Sequence, residues 1–145
     1  MLTGKTALVT GSTSGIGKAI ATRFAREGCN VVLNGFGDEA EIEAERAGMA
    51  KEFGVKVGYA NADLTNPDAI EGMMGYVARD FGGADILVNN AGVQYVAPIE
   101  EFPIAKWDLI IALNLTAAFH TTRMALGGMK EKGWGRILNT GSAHA

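Results

Sequence analysis

Short apolar runs alternate with longer amphipathic stretches along the whole chain. The apolar runs predict five β-strands, at residues 6–10, 30–34, 55–61, 85–89 and 136–139. The first, second and fourth runs are almost continuously apolar, which is typical of parallel strands that are covered on both faces. The stretches between the strands carry apolar residues at helical spacing and predict helices at about residues 15–27, 38–53, 67–81 and 104–132.

This order of elements predicts an α/β fold. Right-handed crossovers would arrange the strands as a doubly wound parallel sheet of the Rossmann type. The 145 residues are enough for one domain with a sizeable core, but a complete dinucleotide-binding sheet has further strands. We therefore expect residues 1–145 to form a dinucleotide-binding domain that is C-terminally incomplete, truncated after its fifth strand.

Composition narrows the classes of function. Hydrophobic residues make up 48% of the chain, which argues against disorder, and a net charge of −3 without a basic run argues against nucleic-acid or anionic-membrane partners. No apolar run approaches the ~20 residues that span a bilayer. Cys29 is the only cysteine, which suits the cytoplasm, and we expect its side chain to be buried. The acidic run that opens the second helix fits a solvated helix face, so no metal site is expected.

A glycine-rich turn joins the first predicted strand to the first predicted helix. Its spacing is Gly-x-x-x-Gly-x-Gly, without the Gly-Lys-Ser/Thr ending of a P-loop. Such a turn lets a pyrophosphate approach bare backbone N–H groups at a helix N-terminus. The turn therefore predicts dinucleotide binding. The hydroxyls at positions 12–14 can contact phosphate, cap the helix, or do both.

The end of the second strand favours NAD over NADP as the cofactor. An acidic residue at this place commonly binds the adenosine ribose, but here the strand ends in Asn34, and Gly35 and Phe36 follow as candidate ribose contacts. No lysine or arginine lies within residues 11–17 or 34–38, so a 2′-phosphate would find no cation there. Asp38 fits a helix N-cap better than a cofactor ligand.

The third and fourth strands also end in candidate cofactor residues. Asp63 can accept a hydrogen bond from the adenine amino group while Leu64 packs on the ring, and a loop or capping role for Asp63 is the open alternative. After the fourth strand, Ala91 and Gly92 leave room for a cofactor to lie against the backbone.

Polar side chains continue toward the place where a substrate would enter. Asn89 fits a tie between neighbouring strands, and Asn90 can also face the cofactor. Asn114 lies amid apolar residues of the fourth helix and needs hydrogen-bond partners if it is buried. Ser142 follows the fifth strand and offers a hydroxyl that can polarise a carbonyl. No Gly-x-Ser-x-Gly sequence surrounds this serine, so a hydrolase of that type is rejected.

In order and spacing, these motifs resemble the short-chain dehydrogenase/reductase family over essentially the whole chain. The matching positions are the glycine turn, Asp63, residues 89–92, Asn114 and Ser142. The resemblance implies that the following residues bind the cofactor: Gly11, Ser12, Thr13, Gly15, Ile16, Gly17, Asp63, Leu64, Asn90 and Gly92. It also implies two catalytic residues: Ser142 would stabilise the reacting carbonyl or alkoxide, and Asn114 would hold a water in a proton relay. A homo-oligomer, a tetramer, is implied as well.

A narrower resemblance concerns residues 34–38, 92–94 and 142–144. They look like the corresponding residues of bacterial D-3-hydroxybutyrate dehydrogenases, which interconvert 3-hydroxybutyrate and acetoacetate with NAD. This resemblance implies a small 3-hydroxy acid as the substrate. It also implies that Gln94, Ser142 and His144 contact that substrate.

The family's catalytic Tyr-x-x-x-Lys motif is missing from the 145 residues. In the family it lies beyond the serine, and here Tyr59, Tyr76 and Tyr95 have no lysine four residues later. We therefore expect the complete protein to be an NAD-dependent dehydrogenase and the 145-residue chain alone to be inactive. Two alternatives stay open: an NAD-binding module without turnover, and a nucleotide-binding fold that is not a dehydrogenase.

Overall fold

Five parallel strands form one sheet in the order β3-β2-β1-β4-β5. A computed structural model describes residues 1–143, and its strands are β1 Thr6–Val9, β2 Asn30–Asn34, β3 Val57–Ala60, β4 Ile86–Asn89 and β5 Arg136–Asn139. The chain runs outward from β1 to β3 and then crosses back to β4 on the other side of β1. The strand order therefore reverses between β1 and β4, and ligands of such sheets bind at the carboxyl edge of this switch point.

The helices connect successive strands and cover both faces of the sheet. They are α1 Gly15–Arg26, α2 Glu39–Phe53, α3 Pro67–Phe81, α4 Ile104–Ile111 and α5 Ala117–Lys132, with a short 3₁₀ turn at Ile99–Glu101. The predicted N-cap is confirmed, because the Asp38 carboxylate accepts a hydrogen bond from the Glu41 N–H at 2.9 Å. Where the sequence predicts one helix over residues 104–132, a π-helical turn at Ala112–Thr116 separates α4 from α5.

Two apolar layers hold the helices against the sheet. Along β1 the side chains alternate, so that Leu8 packs with α3 and α5 while Ala7 and Val9 pack with α1 and α2. All three are fully buried, as is Cys29 just before β2, and the raised pKa of its thiol follows first from this burial. The predicted doubly wound parallel sheet with both faces covered is confirmed.

The helical segment Ile104–Lys132 is apolar on average, although it contains no continuous apolar run of about 20 residues. By length and composition alone, this segment of the described residues is apolar enough to cross a membrane. A count of consecutive apolar residues does not detect this segment, because a few charged residues interrupt a stretch whose mean hydropathy is high. Core helices of soluble proteins meet the same criterion. Here the segment leaves large apolar side chains exposed, including Ile104, Trp107, Leu115 and Phe119.

Candidate functional site

A cleft of about 1050 Å³ opens at the carboxyl ends of β1, β4 and β5. Nine of the predicted site residues line it, and they come from the glycine turn, the ends of three strands and the π-helical turn: Gly15, Ile16, Leu64, Asn90, Ala91, Gly92, Gln94, Asn114 and Ser142. The structure therefore brings the glycine turn and the two predicted catalytic side chains to one cavity. His144 lies outside the described residues.

The glycines of the first turn allow parts of the backbone to approach closely. Gly11 has a left-handed backbone with φ +62°, and a Cβ there would lie 2.9 Å from the Cα of Ala91. A Cβ on Gly17 would collide with the Gly11 carbonyl and the Asn90 amide. At Gly15, by contrast, nothing lies within 4 Å of the Cβ position. The turn is therefore tightly packed behind and open in front, where the N-terminus of α1 can receive an anion.

The hydroxyls of this turn bind protein groups. Ser12 is only 1% exposed, and its Oγ donates to the Val9 carbonyl at 2.6 Å and accepts from the Asn34 N–H at 3.0 Å. Thr13 Oγ1 donates to the Phe36 carbonyl at 3.0 Å. Ser14 precedes α1 and makes no side-chain cap bond. The structure thus places the Ser12 hydroxyl inside the protein as a support of the turn, and Thr13 between the turn and the loop after β2.

Asn34 ties three strand ends together. Its Oδ1 accepts from the Gly11 N–H at 3.2 Å, and its Nδ2 donates to the carbonyls of Ala60 and Ala62 at 3.1 and 3.2 Å. The side chain is buried, at 1% exposure, so it has no free group for a ribose. Phe36, two residues further along the loop after β2, is 66% exposed.

The asparagine pair at the end of β4 links strands, as the sequence predicts. Asn90 Nδ2 donates to the carbonyls of Thr10 and Gly11 at 3.2 and 3.3 Å, and its Oδ1 accepts from the Thr140 hydroxyl at 3.1 Å. Asn89 Nδ2 donates to Asn139 Oδ1 at 3.0 Å. Together these bonds hold the ends of β1, β4 and β5 in one arrangement around the cleft.

Sequence reasoning misses the threonines that complete this network. Thr10 Oγ1 accepts from the N–H groups of Asn90 and Ala91 at 2.9 and 3.0 Å, and Thr121 on α5 donates to Asn89 Oδ1 at 2.6 Å. Thr10 and Thr121 are both buried. Two signals could have indicated Thr10: it ends an apolar strand, and it directly precedes the glycines of the motif that carries the family resemblance.

Asp63 already has one local role in the structure. Its Oδ1 accepts from the Thr65 hydroxyl at 2.7 Å and from the Thr65 N–H at 2.9 Å. These bonds, the hydroxyl's first, lower the pKa of the Asp63 carboxyl below its usual value, so the group is ionised at neutral pH. Asp63 therefore has the structural role in its loop that the sequence left open as an alternative, and its carboxylate is also exposed. Leu64 next to it is buried yet lines the cleft.

Asn114 lies in the π-helical turn and holds the loop that follows β4, and both line the cleft. Its Oδ1 accepts from the Val93 N–H at 2.9 Å, and its Nδ2 donates to the Val93 carbonyl at 2.8 Å. The predicted need for partners is met by this two-way bond, although the side chain is exposed rather than buried. A Cβ on Gly92 would approach the Asn114 amide oxygen to 3.2 Å. Gln94 lies on the same loop and also lines the cleft.

The cleft offers amides, hydroxyls and backbone groups for binding an organic ligand. Among residues 1–143, no group of three His, Cys, Asp or Glu side chains lies together so as to hold a metal ion. The open space at the α1 N-terminus fits a phosphate. The ionised Asp63 fits a base that carries an amino group, and the Ser142 hydroxyl fits a carbonyl oxygen.

Comparison with known proteins identifies the family. The family model described as short chain dehydrogenase matches residues 5–145. The chain is 60% identical over 144 residues to a D-beta-hydroxybutyrate dehydrogenase of Cupriavidus necator, covering 99% of this chain and 55% of that protein. A D-beta-hydroxybutyrate dehydrogenase of Rhizobium meliloti is 56% identical over 140 residues, which cover 97% of this chain and 54% of that protein.

Solved structures agree with this. An L-sorbose reductase from Gluconobacter frateurii, complexed with NADPH and L-sorbose, superposes with a TM-score of 0.92 at 37% identity. The match covers 98% of this chain and 54% of that one. The chain thus spans about half the length of the curated relatives it matches. By family model, sequence identity and fold, this chain belongs to the short-chain dehydrogenase family of oxidoreductases.

Proposed function

We propose that the complete protein is an NAD-dependent oxidoreductase that interconverts D-3-hydroxybutyrate and acetoacetate. The observation that carries this proposal is the identity of 60% and 56%, along nearly the whole chain, to two proteins named D-beta-hydroxybutyrate dehydrogenase. The cleft supports it, because Gln94, Asn114 and Ser142 lie on its walls, where a small 3-hydroxy acid would meet the cofactor.

Charge around the loop after β2 supports NAD rather than NADP. Glu39, the first residue of α2, places a carboxylate directly after this loop. Burial, and after it the charge of Glu39, raises the pKa of the Tyr59 phenol. Asp38 adds a second carboxylate, and residues 34–38 contain no lysine or arginine. A 2′-phosphate would therefore meet repulsion where NAD presents a neutral hydroxyl. The sorbose reductase, by contrast, binds NADPH.

The chain's own residues divide the proposed cofactor contacts along the carboxyl edge of the sheet. Asp63 and Leu64 would receive the adenine, and Gly35 and Phe36 the adenosine ribose. The glycine turn would receive the pyrophosphate through Gly11, Thr13, Gly15, Ile16 and Gly17, with the buried Ser12 supporting the turn from within. The turn after β4 would receive the nicotinamide half through Asn90, Ala91 and Gly92. When bound, NAD supplies the hydride acceptor.

Ser142 and Asn114 would then act on the substrate. The Ser142 hydroxyl would donate a hydrogen bond to the substrate oxygen, and Asn114 would hold a water that relays the proton. Gln94 would bind the substrate carboxylate, together with His144 outside the described residues. No tyrosine of the 145 residues has a lysine four positions later, so we propose that this chain alone binds NAD without turnover.

NADH formation from D-3-hydroxybutyrate tests the proposal. Adding this substrate and NAD to the complete protein should produce NADH, and Ser142→Ala should slow turnover about 100-fold through loss of one oxyanion donor. Thr22→Ala is the matched control and should keep the rate, because the Thr22 hydroxyl bonds the Lys18 carbonyl within α1 and Thr22 does not line the cleft. If the complete protein forms no NADH from D-3-hydroxybutyrate, the proposed substrate is wrong.

We also propose that the protein is a cytoplasmic homo-oligomer, a tetramer. The support is the row of exposed apolar side chains on α4 and α5, which includes Ile104, Trp107 and Phe119. Such a surface is typical of a protein interface. Light scattering on the purified complete protein should give a mass of four chains, and a monomer at micromolar concentration would contradict this.

A further inference from the structure

The loop between β2 and α2 is built from glycine around one exposed aromatic residue. Gly35 and Gly37 have φ of +151° and +152°, and Phe36 between them is 66% exposed. The loop lies against the glycine turn, because Thr13 Oγ1 bonds the Phe36 carbonyl. The proposed function places the adenosine ribose at this loop.

Two hydroxyls from outside the loop hold its backbone. Tyr59, on β3, donates its phenol hydrogen to the Gly35 carbonyl at 2.5 Å. Thr13, in the glycine turn, donates its hydroxyl hydrogen to the Phe36 carbonyl at 3.0 Å. The two donors lie on different elements and bind the carbonyls of two successive residues. Together they set the orientation of both peptide groups.

Packing supports the same arrangement. A Cβ on Gly35 would collide with the Thr13 side chain, so only glycine lets the loop lie against the turn. Tyr59 is half-buried and packs with the apolar layer under α1 and α2, which fixes its ring. Its raised pKa keeps the phenol protonated, and hence a hydrogen-bond donor, at neutral pH.

We propose that Tyr59 and Thr13 are positioning residues that fix the Gly35–Phe36 backbone for the adenosine half of the cofactor. This inference rests on the proposed function, because it takes NAD as the ligand of the cleft. The ribose would then be recognised by a loop backbone that Tyr59, on β3, holds in place before the cofactor binds. Losing the Tyr59 bond should then weaken binding of the adenosine half and leave the chemical step unchanged.

Tyr59→Phe tests this, with Tyr76→Phe as the matched control. Tyr76 reaches the opposite face of β3, where its hydroxyl lies against Gly58, and its ring packs edge-on against Phe81. By calorimetry on the complete protein, Tyr59→Phe should raise the Kd for NAD and for ADP-ribose about fivefold, the equivalent of one lost hydrogen bond. The Kd for nicotinamide mononucleotide, and kcat at saturating NAD, should stay as in the wild type. Tyr76→Phe should change none of these values.

Amide exchange gives a readout independent of activity. In Tyr59→Phe the Gly35, Phe36 and Gly37 amides should exchange faster while the amides of β1 keep their rates. Thr13→Val provides a second variant if Tyr59→Phe does not fold, and it should weaken ADP-ribose binding where Thr13→Ser does not. Equal affinity of wild type and Tyr59→Phe for NAD would overturn the inference. A wild type that binds no NAD would overturn the proposed function instead.

Discussion

At the scale of single residues, Gly17 is the position where one added carbon has the largest consequence. Its Cβ would collide with the Gly11 carbonyl, just after β1, and with the Asn90 amide, just after β4. We expect Gly17→Ala to lower the free energy of unfolding by about 2 kcal/mol, the typical cost of overpacking, and to abolish NAD binding.

Gly72→Ala is the control for this prediction. Gly72 is also helical, in α3, and nothing lies within 4 Å of its Cβ position. Alanine there should raise the free energy of unfolding by up to about 1 kcal/mol, because it favours the helix. Urea denaturation of both variants measures the difference. Equal stability of the two variants would contradict the close packing behind the turn.

Residue-level predictions from the sequence succeed where the partner is near in the chain or the motif is strong. The Asp38 cap follows from its place at the start of a helix, and the tie made by Asn89 follows from its place at a strand end. Tyr59 is different, because its partner Gly35 is 24 residues away and a tyrosine on a strand fits the core equally well. Only the register of β2 and β3 brings the two together.

At the scale of elements, the strands and helices follow the hydrophobic pattern closely. β3 is shorter than predicted, Val57–Ala60 instead of 55–61, because pairing with β2 limits it. The π-helical turn could not be predicted, since its residues Ala112–Thr116 have the same apolar helical character as their neighbours. Such turns often occur at functional sites, and this one carries Asn114.

Asn114→Ala should loosen the loop that this turn holds. The change removes both hydrogen bonds to Val93, so we expect about 1 kcal/mol less stability and faster exchange of the Val93 amide. Asn66→Ala is the control, since Asn66 caps α3 by accepting from the Asp68 N–H. It should cost a similar free energy and leave Val93 exchange unchanged. Unchanged Val93 exchange in Asn114→Ala would contradict the described contact.

At the scale of the whole molecule, one buried carboxylate joins the first strand to the last helix. Asp85, 7% exposed just before β4, accepts from the Thr6 N–H at 2.9 Å and from the Lys132 ammonium at 3.0 Å. Lys132 also donates to the Gly82 carbonyl at 2.8 Å. These contacts close the end of the sheet opposite the cleft, so they contribute to stability and not to cofactor binding.

Lys132→Met should therefore destabilise the protein without affecting the cleft. It leaves the Asp85 carboxylate buried with one partner fewer, and we expect the free energy of unfolding to fall by about 2 kcal/mol with the Kd for NAD unchanged. Lys130→Met, on the exposed side of the same helix, should have little effect. A changed Kd in Lys132→Met would mean that the two ends of the sheet are coupled.

A crystal structure of the protein with NAD tests the central claim most directly, because it reports the whole path of the cofactor along the cleft. The account predicts adenine beside Asp63 and Leu64, pyrophosphate at the N-terminus of α1, and nicotinamide between Gly92 and Ser142. NAD bound in the reverse direction, or outside the cleft at the carboxyl ends of β1 and β4, would contradict it.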